Sequence, residues 1–305
     1  MDHSLKPSRT NPPGPPLPPG GPLDVPGLLR RHHLRPDKGL GQNFLLDETA
    51  LRRIVMAAEI LPQHDILEIG PGLGSLTRHL AAAARQVVAV ELDSDLFGPL
   101  EEVLGGMPNV HLVQGDILAL NPVELMPAPG YLVVANIPYY ITSALLRHLL
   151  ETERPPLRMV LTVQREVAQR ICALPGDLSL LALSVQVYGR PSIAAHIPAG
   201  AFYPPPKVDS AVVRIDLFDT PAIPVALLED FFQLIKAGFS QKRKTLRNSI
   251  SGGLKWSPAR AAELLSAAGI DPQRRAETLS LSEWGQLTQA YQLNPNDTAS
   301  SLPPA

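Results

Sequence analysis

The chain has 305 residues with 27 basic and 29 acidic side chains, a net charge of −2, and 45% hydrophobic residues. No run of about 18 apolar residues suggests a membrane span, and Cys172 as the sole cysteine excludes an internal disulfide and a cysteine zinc cluster. The charge does not mark a nucleic-acid binder, so any such surface must be local.

Residues 1–37 contain ten prolines and few large apolar side chains, which cannot bury enough surface to offset the entropy of ordering; the expectation is a disordered arm. The tail 294–305 has the same character. No secretory leader is legible in a segment so broken by proline, so the expected location is the cytoplasm. After Asp47 the apolar residues Leu51, Ile54, Val55 and Ala58 recur at helical spacing, and the run Ile66–Ile69 follows Pro62 as a buried strand. A glycine turn and an alanine-rich helix to about Ala84 come next. Strand Val87–Val90, a helix to about Leu104, and strands His111–Gln114 and Tyr131–Ala135 continue the alternation. Helix Thr142–Leu150, strand Arg158–Val163 and helix Arg165–Cys172 extend it, and the apolar runs Leu181–Tyr188 and Ala211–Leu217 read as strands around a loop at Pro204–Pro206. Such alternation implies an α/β fold with a mostly parallel sheet, helices on both faces and ligands at the carboxyl ends of the strands. From Pro224 the pattern is helical only (Leu227, Leu228, Phe231, Phe232, Ile235, Leu264, Leu265, Trp284). The expected division is 38–219 for the α/β domain and 220–293 for a small all-helical domain.

Three groups sit at successive strand ends. Gly70, Gly72 and Gly74 form a G-x-G-x-G turn between strand and helix, where glycine lets a ligand approach the backbone. Glu91 ends the next strand, where an acid bonds ribose hydroxyls, and Asp116 follows the third, where a carboxylate can accept from an adenine amino group. The turn alone suits a dinucleotide as well as S-adenosylmethionine, although Ser75 stands where a dinucleotide motif has its third glycine.

After the fourth strand comes Asn136-Ile137-Pro138-Tyr139, which resembles the [D/N/S]-[P/I/L]-P-[Y/F/W] motif of methyltransferases acting on base amino groups. The adenine N6 lone pair is delocalised into the ring, so the amine needs acceptors for both N–H groups before it becomes nucleophilic. The Asn136 side-chain oxygen and the Ile137 carbonyl can supply them, Pro138 stiffens the loop, and Tyr139 can stack on the base. No general base or metal is required. Phe202 is the candidate second face for a flipped base, or equally a core anchor.

Four further segments make the chain resemble the RsmA/KsgA family of 16S ribosomal RNA adenine dimethyltransferases. They are Lys38-Gly-Leu-Gly-Gln-Asn-Phe-Leu45, the F-x-P-P-P-K-V-D-S run from Phe202, the eleven residues Phe239–Ser249, and Arg275-Ala-Glu-Thr-Leu279. The resemblance implies a class I methyltransferase fold with S-adenosylmethionine as cofactor, held by Asn43, Leu45, Gly70, Gly72, Glu91, Asp116 and Asn136. It further implies dimethylation of two adjacent adenines in the last stem-loop of 16S rRNA within the pre-30S subunit, by a monomer acting late in assembly. Gly39-Leu40 stands where many members have Arg-Phe, and Tyr140 where others have Asn. The basic residues Lys242, Arg243, Lys244 and Arg247 read as a phosphate-binding surface, with Lys236, Arg243 and Arg247 near one helical face. Two competitors remain: an antibiotic-resistance type of methyltransferase modifying large-subunit RNA, and an assembly or transcription factor with subordinate catalysis.

Overall fold

The computed structural model describes residues 21–293; residues 1–20 of the expected disordered arm and the whole of the expected disordered tail, 294–305, lie outside them. Helix α1 (Val25–Arg31) and the short strand β1 (Phe44–Leu45) precede α2 (Glu48–Ala58), β2 (Asp65–Ile69), α3 (Ser75–Ala83), β3 (Gln86–Glu91), α4 (Phe97–Leu104) and β4 (Val110–Gln114). There follow α5 (Pro122–Leu125), β5 (Leu132–Asn136), α6 (Thr142–Leu150), β6 (Arg158–Gln164), α7 (Arg165–Ile171) and α8 (Leu180–Gln186). The α/β part closes with β7 (Gly189–Ile197), β8 (Phe202–Tyr203) and β9 (Ser210–Leu217). Helices α9 (Leu228–Phe239), α10 (Leu246–Leu254), α11 (Pro258–Ala267) and α12 (Leu281–Gln292) complete the described chain.

The seven-stranded sheet has the order β4-β3-β2-β5-β6-β9-β7. β2 to β6 run parallel, and β9 pairs antiparallel with both β6 and β7. Side chains alternate across a pleated strand, and the two cores follow that alternation. Leu67 and Ile69 pack with Leu145, Leu146 and Leu149 of α6, whereas Ile66 packs with Ile54 of α2 and Leu80 of α3. The chain runs outward from β2 to both sides, so the carboxyl ends of β2 and β5 border the crevice in which such sheets bind ligands.

Three expectations are corrected. Residues 25–31 of the supposed disordered arm form a helix: the Asp24 carboxylate caps it by accepting from Gly27 N at 2.9 Å, and Val25, Leu28 and Leu29 are buried against Leu96, Leu100 and Leu104. The run Leu181–Tyr188 is not a strand but α8, started by Ser179, whose hydroxyl accepts from Ala182 N. Leu183 faces the helical core and Val185 the sheet core, so the helix is apolar on two sides and its period is hidden. The antiparallel edge strand β7 was not read at all; Pro191 lies within it, as edge position permits.

Trp284 is fully buried at the centre of the helical core, stacked 5.9 Å from Phe239. A Cβ on Gly238 would lie 2.5 Å from its ring, so glycine is what lets α9 and α12 approach. Trp284→Ala is expected to cost about 3–5 kcal/mol. Urea unfolding followed by circular dichroism checks this; a curve superimposable on wild type would show that the core does not depend on the indole.

Candidate active site

One cavity of about 220 Å³ opens at the carboxyl ends of β2, β3 and β5. It gathers the glycine turn, Glu91, Asp116 and the Asn136–Tyr139 tetrapeptide, together with Asn43 and Leu45 of the β1 region and Phe202 of β8. The last three arrive because β1 and β8 pair antiparallel, Phe44 with Tyr203 and Leu45 with Phe202. Leu45 and Phe202 are also buried core residues, so the anchor reading of Phe202 and its place at the cavity wall hold together.

The turn after β2 is built for close approach. Gly70 and Gly72 have φ of +67° and +61°, and a Cβ at Gly72 would sit 3.0 Å from the Phe44 ring. Glu91 fixes this turn: its carboxylate accepts Gly72 N and Asp93 N, each at 3.0 Å. Burial pushes the Glu91 carboxyl upward against these bonds. Glu68, one strand residue from the turn, is completely buried, and burial pushes its carboxyl up to about 8, so it is protonated at neutral pH. Its Oε2 has no hydrogen-bond partner among the described residues. A cradle without Cβ atoms, a buried acid with an unfilled oxygen and a second acid at the neighbouring strand end fit a nucleoside carrying an amino-acid tail. Asp116 is exposed, and one oxygen caps its own turn through Leu118 N at 2.9 Å.

Beside the glycine turn, at the end of the neighbouring strand β5, Asn136 Nδ2 donates to the Asn43 carbonyl at 3.2 Å. Only the amide nitrogen can serve that acceptor, so the carboxamide oxygen is turned the other way. The Ile137 carbonyl accepts no hydrogen bond among the described residues. Tyr139 is held by its hydroxyl, 2.6 Å from Ser210 Oγ at the start of β9. Tyr140 lies at the rim, 61% exposed, with its ring against Gly41.

Residues 34–293 match the sequence profile of the family described as ribosomal RNA adenine dimethylase. The chain belongs to that family. It is 48% identical over 269 residues to the ribosomal RNA small subunit methyltransferase A of Dehalococcoides mccartyi, covering 88% of this chain and 92% of the relative. Among solved structures, the 23S rRNA methyltransferase ErmE is 30% identical with a TM-score of 0.66, covering 82% of this chain and all of the other. A dimethyladenosine transferase from Plasmodium falciparum shares the fold at 24% identity and a TM-score of 0.70, over 82% and 98% of the two chains. The mostly parallel sheet flanked by helices is thus the Rossmann-like fold of these RNA methyltransferases.

In this adenine dimethylase the basic residues stand apart from the cavity wall. Lys242, Arg243 and Lys244 do not continue a helical face: α9 ends at Phe239, Lys244 N donates to Gln241 O at 3.0 Å in a turn, and α10 starts only after Thr245, which makes no side-chain capping bond. The three are exposed on that turn, while Arg247 in α10 is half-buried. Sequence reasoning gave no role to Glu68, Gln42 or Ser210. An acid inside the apolar run before Gly70 was a readable signal for Glu68. Gln42, which donates to Asp93 at 2.6 Å, and Ser210 become visible only once distant strands are paired. Among the described residues no group of three or more His, Cys, Asp or Glu side chains is placed to hold a metal, and no helix is long and apolar enough to cross a membrane.

Proposed function

We propose that this chain dimethylates N6 of adenine in small-subunit ribosomal RNA, using S-adenosylmethionine. The observation that carries the reading is the pair of acceptors in the cavity lining, the Asn136 carboxamide oxygen and the Ile137 carbonyl, beside the glycine turn and in the same cavity as Glu91. When bound, the cofactor supplies a methyl group on a sulfonium. Gly70, Gly72 and Glu91 hold its nucleoside and tail, with Asn43, Leu45 and Asp116 closing around it. Asn136 and Ile137 draw the two amino hydrogens out of the ring plane, which frees the N6 lone pair. Pro138 keeps both acceptors in register, and Tyr139, pinned by Ser210, offers its face to the purine. Phe202 bounds the same pocket from β8. The methylated nitrogen is acidic and loses its proton to water without a general base.

The substrate is two adjacent adenines in the last stem-loop of 16S rRNA, met within the pre-30S subunit by a cytoplasmic monomer. Lys242, Arg243, Lys244 and Arg247 bind phosphates and position the RNA without reading its bases. The higher identity to the small-subunit relative than to the 23S enzyme supports this choice. Incorporation of labelled methyl into unmethylated small subunits, naked RNA and large subunits side by side tests it. Label is expected in the small-subunit substrate; label confined to large subunits would transfer the assignment to the 23S class.

A further inference from the structure

The end of α1 and the chain beyond it carry Arg30, Arg31, Arg35 and Lys38 against one acid, Asp37. Hydrogen bonds from His33 N to Arg30 O at 3.2 Å and from Leu34 N to Leu29 O at 2.9 Å close the helix in a turn, and Arg35 follows five residues after Arg30. Lys38 O accepts from Gly41 N at 3.2 Å, and Leu40 and Gly41 line the cavity, so Lys38 stands in the turn that forms its rim. Arg35 is three residues away, about 10 Å of chain at most.

Some of this charge is engaged. Arg31 and His32 both meet Glu102 of α4 at 2.6 Å, which fastens the segment to the cofactor domain. The Asp37 carboxylate caps its own turn through Gly39 N at 2.6 Å. Arg30, Arg35 and Lys38 are exposed and have no acidic partner among the described residues. The helix dipole accounts for a cation in the last turn, as Arg30 is, but its influence ends there, before Arg35 and Lys38.

We infer that Arg30, Arg35 and Lys38 form a second RNA-phosphate surface, at the rim of the cavity and separate from the Lys242–Arg247 run. It rests on the reading that RNA is the substrate. A base can enter the cavity only with its own backbone at the rim, and cations within a Debye length of about 8 Å act on those phosphates at physiological salt. The segment therefore grips the strand next to the extruded nucleotide, while the basic turn before α10 binds elsewhere on the RNA.

The test is full-length protein carrying Arg30→Glu, Arg35→Glu and Lys38→Glu together, and a companion with Gln at the three positions. Binding to unmethylated small subunits and to an isolated stem-loop RNA is titrated from 50 to 300 mM salt, on the order needed to resolve counterion release. Affinity is expected to fall at least about tenfold at the lowest salt, and the log–log salt slope to flatten by about 2 for three lost single-strand contacts. No ion pair is removed, so cofactor affinity stays at the wild-type value in both variants; the Gln variant melts close to wild type, while the Glu variant melts slightly lower because an acid replaces Arg30 at the negative end of the helix. Unchanged affinity and slope in both variants, with wild type binding normally, would overturn the inference. Wild type that binds no RNA in a salt-dependent way would instead overturn the substrate reading on which it rests.

Discussion

Asn136→Ala lowers single-turnover methyl transfer about 10²–10³-fold while cofactor binding and folding are largely retained. The magnitude is that of removing one preorganised hydrogen-bonding group aimed at charge developing in the transition state. The residue has two tasks: its amide nitrogen is tied to the Asn43 carbonyl, and that tie turns its oxygen away from Asn43 and leaves it free to accept from the substrate. Asn136→Asp separates them, since a carboxylate still accepts but cannot donate to Asn43, and its rate is expected to lie between wild type and alanine. Single-turnover assays at saturating cofactor measure both variants. An alanine variant at the wild-type rate would remove Asn136 from the chemistry.

Glu91→Ala weakens cofactor binding by about 10- to 100-fold. Hydrogen bonds to a charged group contribute about 1.5–3 kcal/mol, and this carboxylate holds the Gly72 and Asp93 amides as well as offering lone pairs to a ribose. Without it the glycine turn loses the anchor that sets the approach of the backbone to the cofactor. Acidification acts in the same direction. Burial raises the Glu91 carboxyl above the ordinary range, so protonation sets in at a higher pH than for an exposed glutamate and removes the better acceptor. Cofactor affinity is expected to fall as pH drops through that raised value, and Glu91→Gln is expected to abolish the fall. Calorimetric titration with S-adenosylhomocysteine at several pH values reads both effects; equal affinity in Glu91→Ala and wild type would detach the carboxylate from the cofactor.

Much of the sheet was readable because β2, β3 and β5 are short apolar runs interrupted by helices with one apolar face, and local pattern decides such elements. The elements that escaped are those whose surroundings decide. The two cores flanking α8 erase its period, and β7 holds a proline that only an edge tolerates. The start of α1 carried its own signal, Asp24 before Pro26 with Val25, Leu28 and Leu29 at helical spacing, but the surrounding prolines outweighed it. In the site, the tetrapeptide and strand-end acids were legible because their chemistry demands particular residue types. The contacts that aim them were not: Asn43 lies 93 positions from Asn136, and Ser210 lies 71 from Tyr139.

The most direct measurement is nucleoside analysis of small-subunit RNA after complete reaction with the purified chain and isotopically labelled S-adenosylmethionine. Acceptors at the exocyclic nitrogen predict that the methyl groups land on N6 of adenine, and membership of the adenine dimethylase family predicts N6,N6-dimethyladenosine as the accumulated product, at neighbouring adenines. Methyl groups found on a ring carbon, a ring nitrogen or another base would contradict the role given to Asn136 and Ile137.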